Sequence, residues 1–503
     1  MATYWTGLPV DMADRNAITR VCLMKKKLHN FPTPHAALAE LLAAARVAAR
    51  AGRRIDIHGQ DPVFPTRFRI GEVGAAAIAA CAVAADDLWA SRGSRRRCQA
   101  ITIDLRHAAA SLRSVRYLRI DGVEPKQLFD PISGLYEAQS GRWVFLHCNF
   151  PNHHAAALGT LGLPVDARRE SVVDAVRSWD AYKLEDAVHA AGGCAGAVRM
   201  SEEWSHHPQS TAVASLPLIE IDRIGDAPQE LLHDAVRPLS GLRVLDLTRV
   251  LAGPTCAKAL AEHGADVLKI SGPHLPHSGE VEIDTGLGKL SAFLDLRRSA
   301  DTDTLLSLVR DGRCDVFSQS YRPESLARRG LDVETLAALR PGIVCVELSA
   351  WGRAGPWAHR RGFDTVVQCV SGMAAIHGSE AAPRTMPVSA IDYVSGYLMA
   401  FGAMVALGRR AREGGSWRVR VSLARTGKWI VDRGLLDVDT IANVPKELPE
   451  DEIARFTVQT PSSLGSIRHL LPVARMSETP PRWERSPAAL GHAAAAWPVR
   501  TIA

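Results

Sequence analysis

Residues 237–273 read RPLSGLRVLDLTRVLAGPTCAKALAEHGADVLKISGP. The apolar run at 242–247 predicts a buried strand, and Thr248 to Pro254 the turn that follows it. Residues 255–263 then carry helical spacing (Cys256, Ala259, Leu260, His263), Gly264 is a stop signal, and 265–270 predicts a second strand. Strand, loop, helix and strand in that order open a parallel α/β sheet. The helix N-terminus behind the first strand is a natural seat for an anion, because its free N–H groups and its dipole both favour negative charge. No G-x-G-x-x-G accompanies it, so the dinucleotide fingerprint is missing. Spacing alone says no more, since any α/β protein contains such a unit.

Three further stretches follow in order. They are FLDLRRSADTDTLLSLVRDGRCDVFSQSYRPESLARRGLDVETLAALRPGIVCVELSAWGRAGPW (293–357), RRGFDTVVQCVSGMAAIHG (360–378) and PVSAIDYVSGYLMAFGAMVALGRRAREGGSWRVRVSLA (387–424). With the first stretch, this series resembles class III CoA-transferases, the family named for carnitine and bile-acid CoA-transferases. The resemblance implies an α/β fold: a Rossmann-like parallel sheet forming the CoA-binding domain, with a second, smaller α+β domain.

Composition agrees with a globular protein. The 503 residues suffice for two or three domains, and 60 basic against 54 acidic side chains leave a mixed surface of net charge +6. Arg95–Arg96–Arg97 reads as a solvated face, without the aromatic interleaving or zinc spacing of a nucleic-acid module. The nine cysteines stand singly, so buried thiols in a reducing compartment are expected, not disulfides or a metal site. His153–His154 and His206–His207 are neighbours whose side chains diverge on either a strand or a helix, and no metal is expected there. Met24–Lys25–Lys26–Lys27 is a short charge run without a signal peptide's apolar core. The longest apolar stretch, near 73–85, is too short to span a bilayer. A cytoplasmic protein without nucleic-acid or membrane partners is the expectation.

The order of segments is unusual. In the family, the sequence resembling 237–424 normally opens the chain; here 236 residues precede it. Within them, GRWVFLHCNFPNHHAAALGTLGLP (141–164) and LEDAVHAAGGCAGAVRMSEEWSHHPQ (184–209) resemble the smaller domain. Residues 75–108 and 400–426 also echo one another, each a small-residue helix, a basic loop and a strand, although identities are few and the combination is common. The implied organisation has four parts: 1–118, resembling the end of a catalytic unit; 119–236, the small domain; 237–438, the CoA-binding catalytic domain; and 439–503, an extended proline-containing tail with little core. The resemblance implies a homodimer of interlocked chains. Whether part of that interlock is satisfied within one chain is left open.

The resemblance also implies the site. Its nucleophile falls on Asp392 in VSAIDYVSGY. A carboxylate of ordinary pKa, about 3.9, is ionised at neutral pH and attacks a thioester without a base. Spacing alone leaves open that Asp392 is merely a helix N-cap. Gly396 would let another backbone approach closely. The implied CoA contacts are Arg249, Val250, Leu251 and Ala252 in the first loop, and Leu294 and Arg297 beside the adenine nucleotide. Tyr321, Arg322 and Arg328 match the diphosphate loop, Arg361 a position near the phosphates, and Phe363 the path of the pantetheine arm. Arginine's planar fork suits phosphate oxygens. No permanently bound cofactor or metal is implied; coenzyme A enters as the acyl-CoA substrate, and a carboxylic acid as the acceptor.

Departures from the family pattern bear on activity. Ser271 and Gly272 replace a commonly acidic and a commonly basic residue, and Leu251 stands where some transferases carry a glutamine that steadies the acyl intermediate. Near 274–292 only Gly288–Lys289 remains of the usual Asn-Arg-Gly-Lys, and no glycine run offers a mobile lid. Racemases of the same family need a histidine where this chain has Phe363, which disfavours racemisation and leaves Asp364 a structural or hydrogen-bonding role. A non-catalytic or partner-dependent paralogue is the other reading. Neither donor nor acceptor can be read from the residues.

Overall fold

The strand Arg243–Asp246 forms where the apolar run places it, with Val244 and Leu245 both buried, as a central parallel strand requires. The computed structural model describes residues 33–498 apart from 51, 94–95, 126–128 and 323, so Met24–Lys27 and Arg95 lie outside the described residues. Arg243–Asp246 is the third strand of a seven-stranded sheet. The spatial order is Lys289–Phe293, Asp266–Ser271, Arg243–Asp246, Val316–Gln319, Val344–Ser349, Ser416–Ser422, Glu220–Gly225. All neighbours run parallel except the last, which is antiparallel. This is the mixed α/β architecture expected.

The first helix spans Ala252–Glu262 and so begins three residues earlier than spacing indicates. Gly253 and Pro254 sit in its first turn, where N–H groups have no intrahelical acceptor and a proline loses nothing. Gly264 ends it at φ +107°.

Two long helices form the centre of the molecule. Ala390–Glu413 packs against Ala252–Glu262 on one side and Ile70–Ser91 on the other, and nearly every residue of both long helices is buried. The apolar stretch near 73–85 is therefore part of a longer helix than the sequence suggests, because Asp86 is paired with Arg53 at 2.8 Å and stays helical inside the protein. Both helices are long and apolar enough to cross a membrane by length and composition, yet both are enclosed by protein.

The smaller domain has its own core. Strands Gly134–Glu137, Trp143–Leu146 and Ala195–Ala197 form an antiparallel sheet that buries Tyr136, Val144 and Leu146 against Leu158, Leu184 and Val188 of neighbouring helices.

The echo between 75–108 and 400–426 extends to strand pairing. Arg54–His58 pairs parallel with Ala100–Asp104 around Ile70–Ser91, as Val344–Ser349 pairs with Ser416–Ser422 around Ala390–Glu413. Each second strand then leads directly into a helix, Leu105–Ser111 or Leu423–Asp432.

The expectation of a coreless tail is corrected. The helix Glu450–Phe456, the hairpin Thr457–Ser462 with Gly465–Leu470, and the strand Ala474–Met476 all precede the extended stretch. Ile453, Phe456, Ile467 and Leu470 are buried. Pro461 reads as a loop signal but lies on an edge strand, where a residue without a backbone donor is tolerated. Beyond 477 the chain does run extended, pinned by Trp483 Nε1 donating to Lys258 O (3.1 Å) and Trp497 Nε1 to Leu308 O (3.0 Å).

Candidate active site

Buried charge fixes the first loop. Asp246 accepts hydrogen bonds from Thr248 N (3.0 Å) and Oγ1 (2.5 Å), while Lys289 Nζ lies 2.8 Å from both Asp246 Oδ2 and Pro254 O. Lys269 Nζ holds Thr248 O at 2.8 Å. Lys289, the remnant noted in the sequence, thus braces the loop from beneath. Gly253 is needed there, because a Cβ would stand 2.5 Å from Thr248 Cγ2. The turn drives Val250 to φ +68°, a left-handed conformation that a β-branched residue adopts only under constraint and that gathers at functional sites.

Above this loop lies a cavity of about 320 Å³. Arg249, Val250, Leu251, Ala252, Tyr321, Arg322, Arg361, Phe363 and Asp392 all line it. A second cavity, of about 160 Å³, is lined by Leu294 and Arg297, with Ser271 and Gly272 also in its wall. Tyr321 and Ser325 line both. Arg328 lines neither; its exposed guanidinium pairs with Glu324 at 3.1 Å. Arg297, also exposed, pairs with Asp295 at 2.7 Å.

Asp392 is the third residue of its helix, and Ser389 occupies the N-cap position, so Asp392 is not the cap. Its own N–H is capped from elsewhere: Asp364 Oδ2 accepts it at 3.0 Å. Gln368 Nε2 donates to the other oxygen of Asp364, and Gln368 Oε1 accepts from Met386 N at 2.7 Å. Asp364 is thus the hydrogen-bonding residue the sequence suggested, and its partner is the turn that carries Asp392. Burial raises Asp364 to about 6. Burial, and then the neighbouring Asp364 charge, hold Asp392 well above the ordinary carboxylate range. The expectation of an ordinary pKa for Asp392 is corrected on that ground. Gly396, one turn on, permits close helix packing: a Cβ there would stand 2.7 Å from Thr255 Cβ and closer still to Ala252 O.

The cavity is basic. Arg249, Arg322 and Arg361 make no ion pair with a carboxylate among the described residues, whereas Arg360 in the same wall is paired with Glu185 (3.5 Å) and Asp186. Burial, followed by the Arg322 charge, lowers the pKa of Arg361. Arg249 Nη2 donates to Pro276 O at 2.7 Å, and its guanidinium lies 5.3 Å from the Phe150 ring centre.

The smaller domain supplies wall residues that sequence reading missed: Phe150, Asn152 and His153. Phe363 stacks on His147, ring centres 3.8 Å apart, and meets Phe150 and His153 at 5.9 and 5.7 Å. Burial, and then Arg361, lower His153 to about 4, and its Nδ1 has no hydrogen-bond partner among the described residues. His154, in contrast, turns away to Asp130 and Val165 O, both at 3.0 Å. The resemblance of 141–164 to the smaller domain was the one available signal, and it did not say which face meets the cavity.

A family model, CoA-transferase family III, matches residues 239–463. Residues 239–463, somewhat under half of the chain, are therefore similar to CoA-transferase family III. Among the chain's relatives are the acetyl-coenzyme A transferase nodX of Hypoxylon pulicicidum and an acyl-CoA transferase of Gibberella moniliformis. The first is 30% identical over 60% of this chain and 54% of its own length; the second is 28% identical over 73% and 72%. A succinyl-CoA:glutarate CoA-transferase of Mus musculus is 32% identical over 36% of this chain and 44% of its own. The chain thus spans about half the length of the nodX relative. Among solved structures, the Mycobacterium tuberculosis protein Rv3272 is 29% identical over 39% of this chain and 57% of its own, with a TM-score of 0.36. The family III match covers Arg249, Asp364 and Asp392, whereas Phe150, Asn152 and His153 lie outside it.

Proposed function

We propose that this chain is a family III CoA-transferase, moving CoA from an acyl-CoA thioester to a carboxylic acid with Asp392 as the nucleophile. The observation that carries the proposal is one cavity that sets a buried carboxyl group, Asp392, among three arginines with no acidic partner among the described residues. A polyanionic thioester supplies what each lacks: phosphates for Arg249, Arg322 and Arg361, and an electrophilic carbonyl for Asp392. The second cavity, with Leu294, Arg297 and Tyr321, would take the nucleotide end, and Phe363 would flank the pantetheine arm.

In the first step an Asp392 carboxylate oxygen bonds to the thioester carbonyl carbon and the C–S bond breaks, its electron pair leaving on the CoA thiolate. The thiolate then attacks the aspartyl carbonyl of the anhydride, releasing the first carboxylic acid as its anion and leaving an aspartyl-CoA thioester. The acceptor carboxylate attacks that thioester and expels the thiolate, giving a second anhydride. A last attack by the thiolate on the acceptor's acyl carbon yields the new acyl-CoA and restores Asp392. No net proton or electron is consumed. Proton-transfer chemistry at the acyl α-carbon finds no support at Phe363, whose ring is occupied in an aromatic stack.

Intact-protein mass spectrometry after incubation with acyl-CoA thioesters, quenched with hydroxylamine, tests the reading. A hydroxamate at Asp392, absent in Asp392→Ala, is expected, with the variant folded and exchange lost by several orders of magnitude. A folded Asp392→Ala that still exchanges CoA at an undiminished rate would sink the assignment.

A further inference from the structure

The N-terminal echo carries a counterpart of Asp392. In both units a strand leads to an aspartate that caps the N–H groups at the second and third positions of a long buried helix. Asp364 accepts from Ile391 and Asp392; Asp61 accepts from Gly71 N (3.0 Å) and Glu72 N (2.8 Å). Glu72 therefore occupies the helix position of Asp392. Each following strand ends in the residue that caps the next helix, Asp104 accepting from Arg106 N (2.8 Å) and Ser422 from Arg425 N (3.3 Å). The final register pairs match too, His58 with Asp104 and Ser349 with Ser422.

The two units also exchange edges. The chain leaving the first unit forms the smaller domain, lays Phe150, Asn152 and His153 over the Asp392 cavity, and then adds Glu220–Gly225 antiparallel to Ser416–Ser422. The chain leaving the second unit returns to add Ala474–Met476 antiparallel to Ala100–Asp104. Each unit's continuation completes the other's sheet, and the two long helices pack together between them.

The copies differ where the cavity is built. Residues 350–363, which carry Arg361 and Phe363, separate Ser349 from Asp364; only Gly59 and Gln60 separate His58 from Asp61. With that loop gone, Leu105 closes onto the helix start, where a Cβ on Gly71 would stand 2.8 Å from Asp61 Oδ1 and nearer still to Leu105. Leu423, which follows the second strand just as Leu105 does, instead lines the open cavity. Glu72 is 3% exposed, its Oε1 has no hydrogen-bond partner among the described residues and its Oε2 lies 3.8 Å from Arg69 Nη1.

We propose that one chain is the whole working unit, an interlocked pair of copies within a single polypeptide, in which only the Asp392 copy carries acyl groups and the Glu72 copy is a closed scaffold. This replaces the two-chain interlock that the family resemblance implies. The count of acyl sites rests on the transferase reading above; the one-chain architecture does not. Native mass spectrometry of the unmodified protein should give the mass of one chain, and a particle of two chains would overturn the proposal. Hydroxylamine trapping should label one carboxyl group per chain, at Asp392, and Glu72→Gln should keep exchange within twofold of the parent. A hydroxamate on Glu72, or exchange lost in a folded Glu72→Gln, would also overturn it. Labelling at neither residue would count against the transferase reading alone, with the native mass still deciding the architecture.

Discussion

At the scale of single residues, the pair Asp364–Asp392 decides when the site is ready. Two neighbouring buried carboxyl groups resist holding two charges, so the carboxylate form of Asp392 that attacks a thioester appears only as pH rises through the raised range. The acid limb of kcat/KM should therefore lie above that of an ordinary aspartate. Asp364→Asn removes the repelling charge while keeping an oxygen for the Asp392 N–H. Its limb should move to lower pH, even if the maximal rate falls about tenfold through a hydrogen-bond loss of ~1–2 kcal/mol at Gln368. A pH profile of kcat/KM decides, and a limb left in place would contradict the coupling. Asp392 itself was legible only through the resemblance of VSAIDYVSGY, since spacing equally allowed a cap. Its raised pKa was not legible at all, because desolvation depends on what the whole chain packs around the carboxyl group. The same holds for His153, which is separated in sequence from every other wall residue except Phe150 and Asn152.

At the scale of elements, close helix packing places the nucleophile against the loop. Gly396 faces Ala252 and Thr255 with no room for a methyl group, so Gly396→Ala should push the two helices apart. A cost of roughly 1–3 kcal/mol is expected from overpacking, with KM for acyl-CoA rising because the Arg249–Ala252 loop moves with its helix. Gly159 is the control: it is exposed in the helix Pro151–Thr160, and a methyl group there would meet nothing within 4 Å. Gly159→Ala should stabilise by about 0.5–1 kcal/mol through helix propensity alone. Chemical denaturation of both variants measures the contrast, and equal effects would refute the packing account. Periodicity found the helix after Arg243–Asp246 because Cys256, Ala259 and Leu260 all face inward, but missed its first turn, where glycine and proline are tolerated. It also missed the hairpin at 457–470, whose second strand pairs on its other side with Arg119–Ile120, more than 330 residues away in sequence.

At the scale of the molecule, one hydrophobic core joins residues from both ends of the described chain, including Leu38, Phe68, Leu398 and Met476. Segment order alone could not reveal this, because strand exchange between distant parts leaves no local pattern. The connection between the units is nevertheless thin at one place. Leu231 and Val236 are 71% and 77% exposed, in a stretch without regular structure that links Glu220–Gly225 to Arg243–Asp246. A protease site inserted after Leu231 should be cut in the folded protein, since an exposed irregular segment is where proteolysis acts. Cutting should not release the halves. The N-terminal fragment keeps Glu220–Gly225 on the sheet of the C-terminal one, the C-terminal fragment keeps Ala474–Met476 on the sheet of the N-terminal one, and the paired long helices lie between them. The nicked protein should elute from a sizing column as one species at the position of the intact chain, and resolve into two fragments only in denaturant. Separation under native conditions would mean that neither the exchanged strands nor the shared core holds the units together.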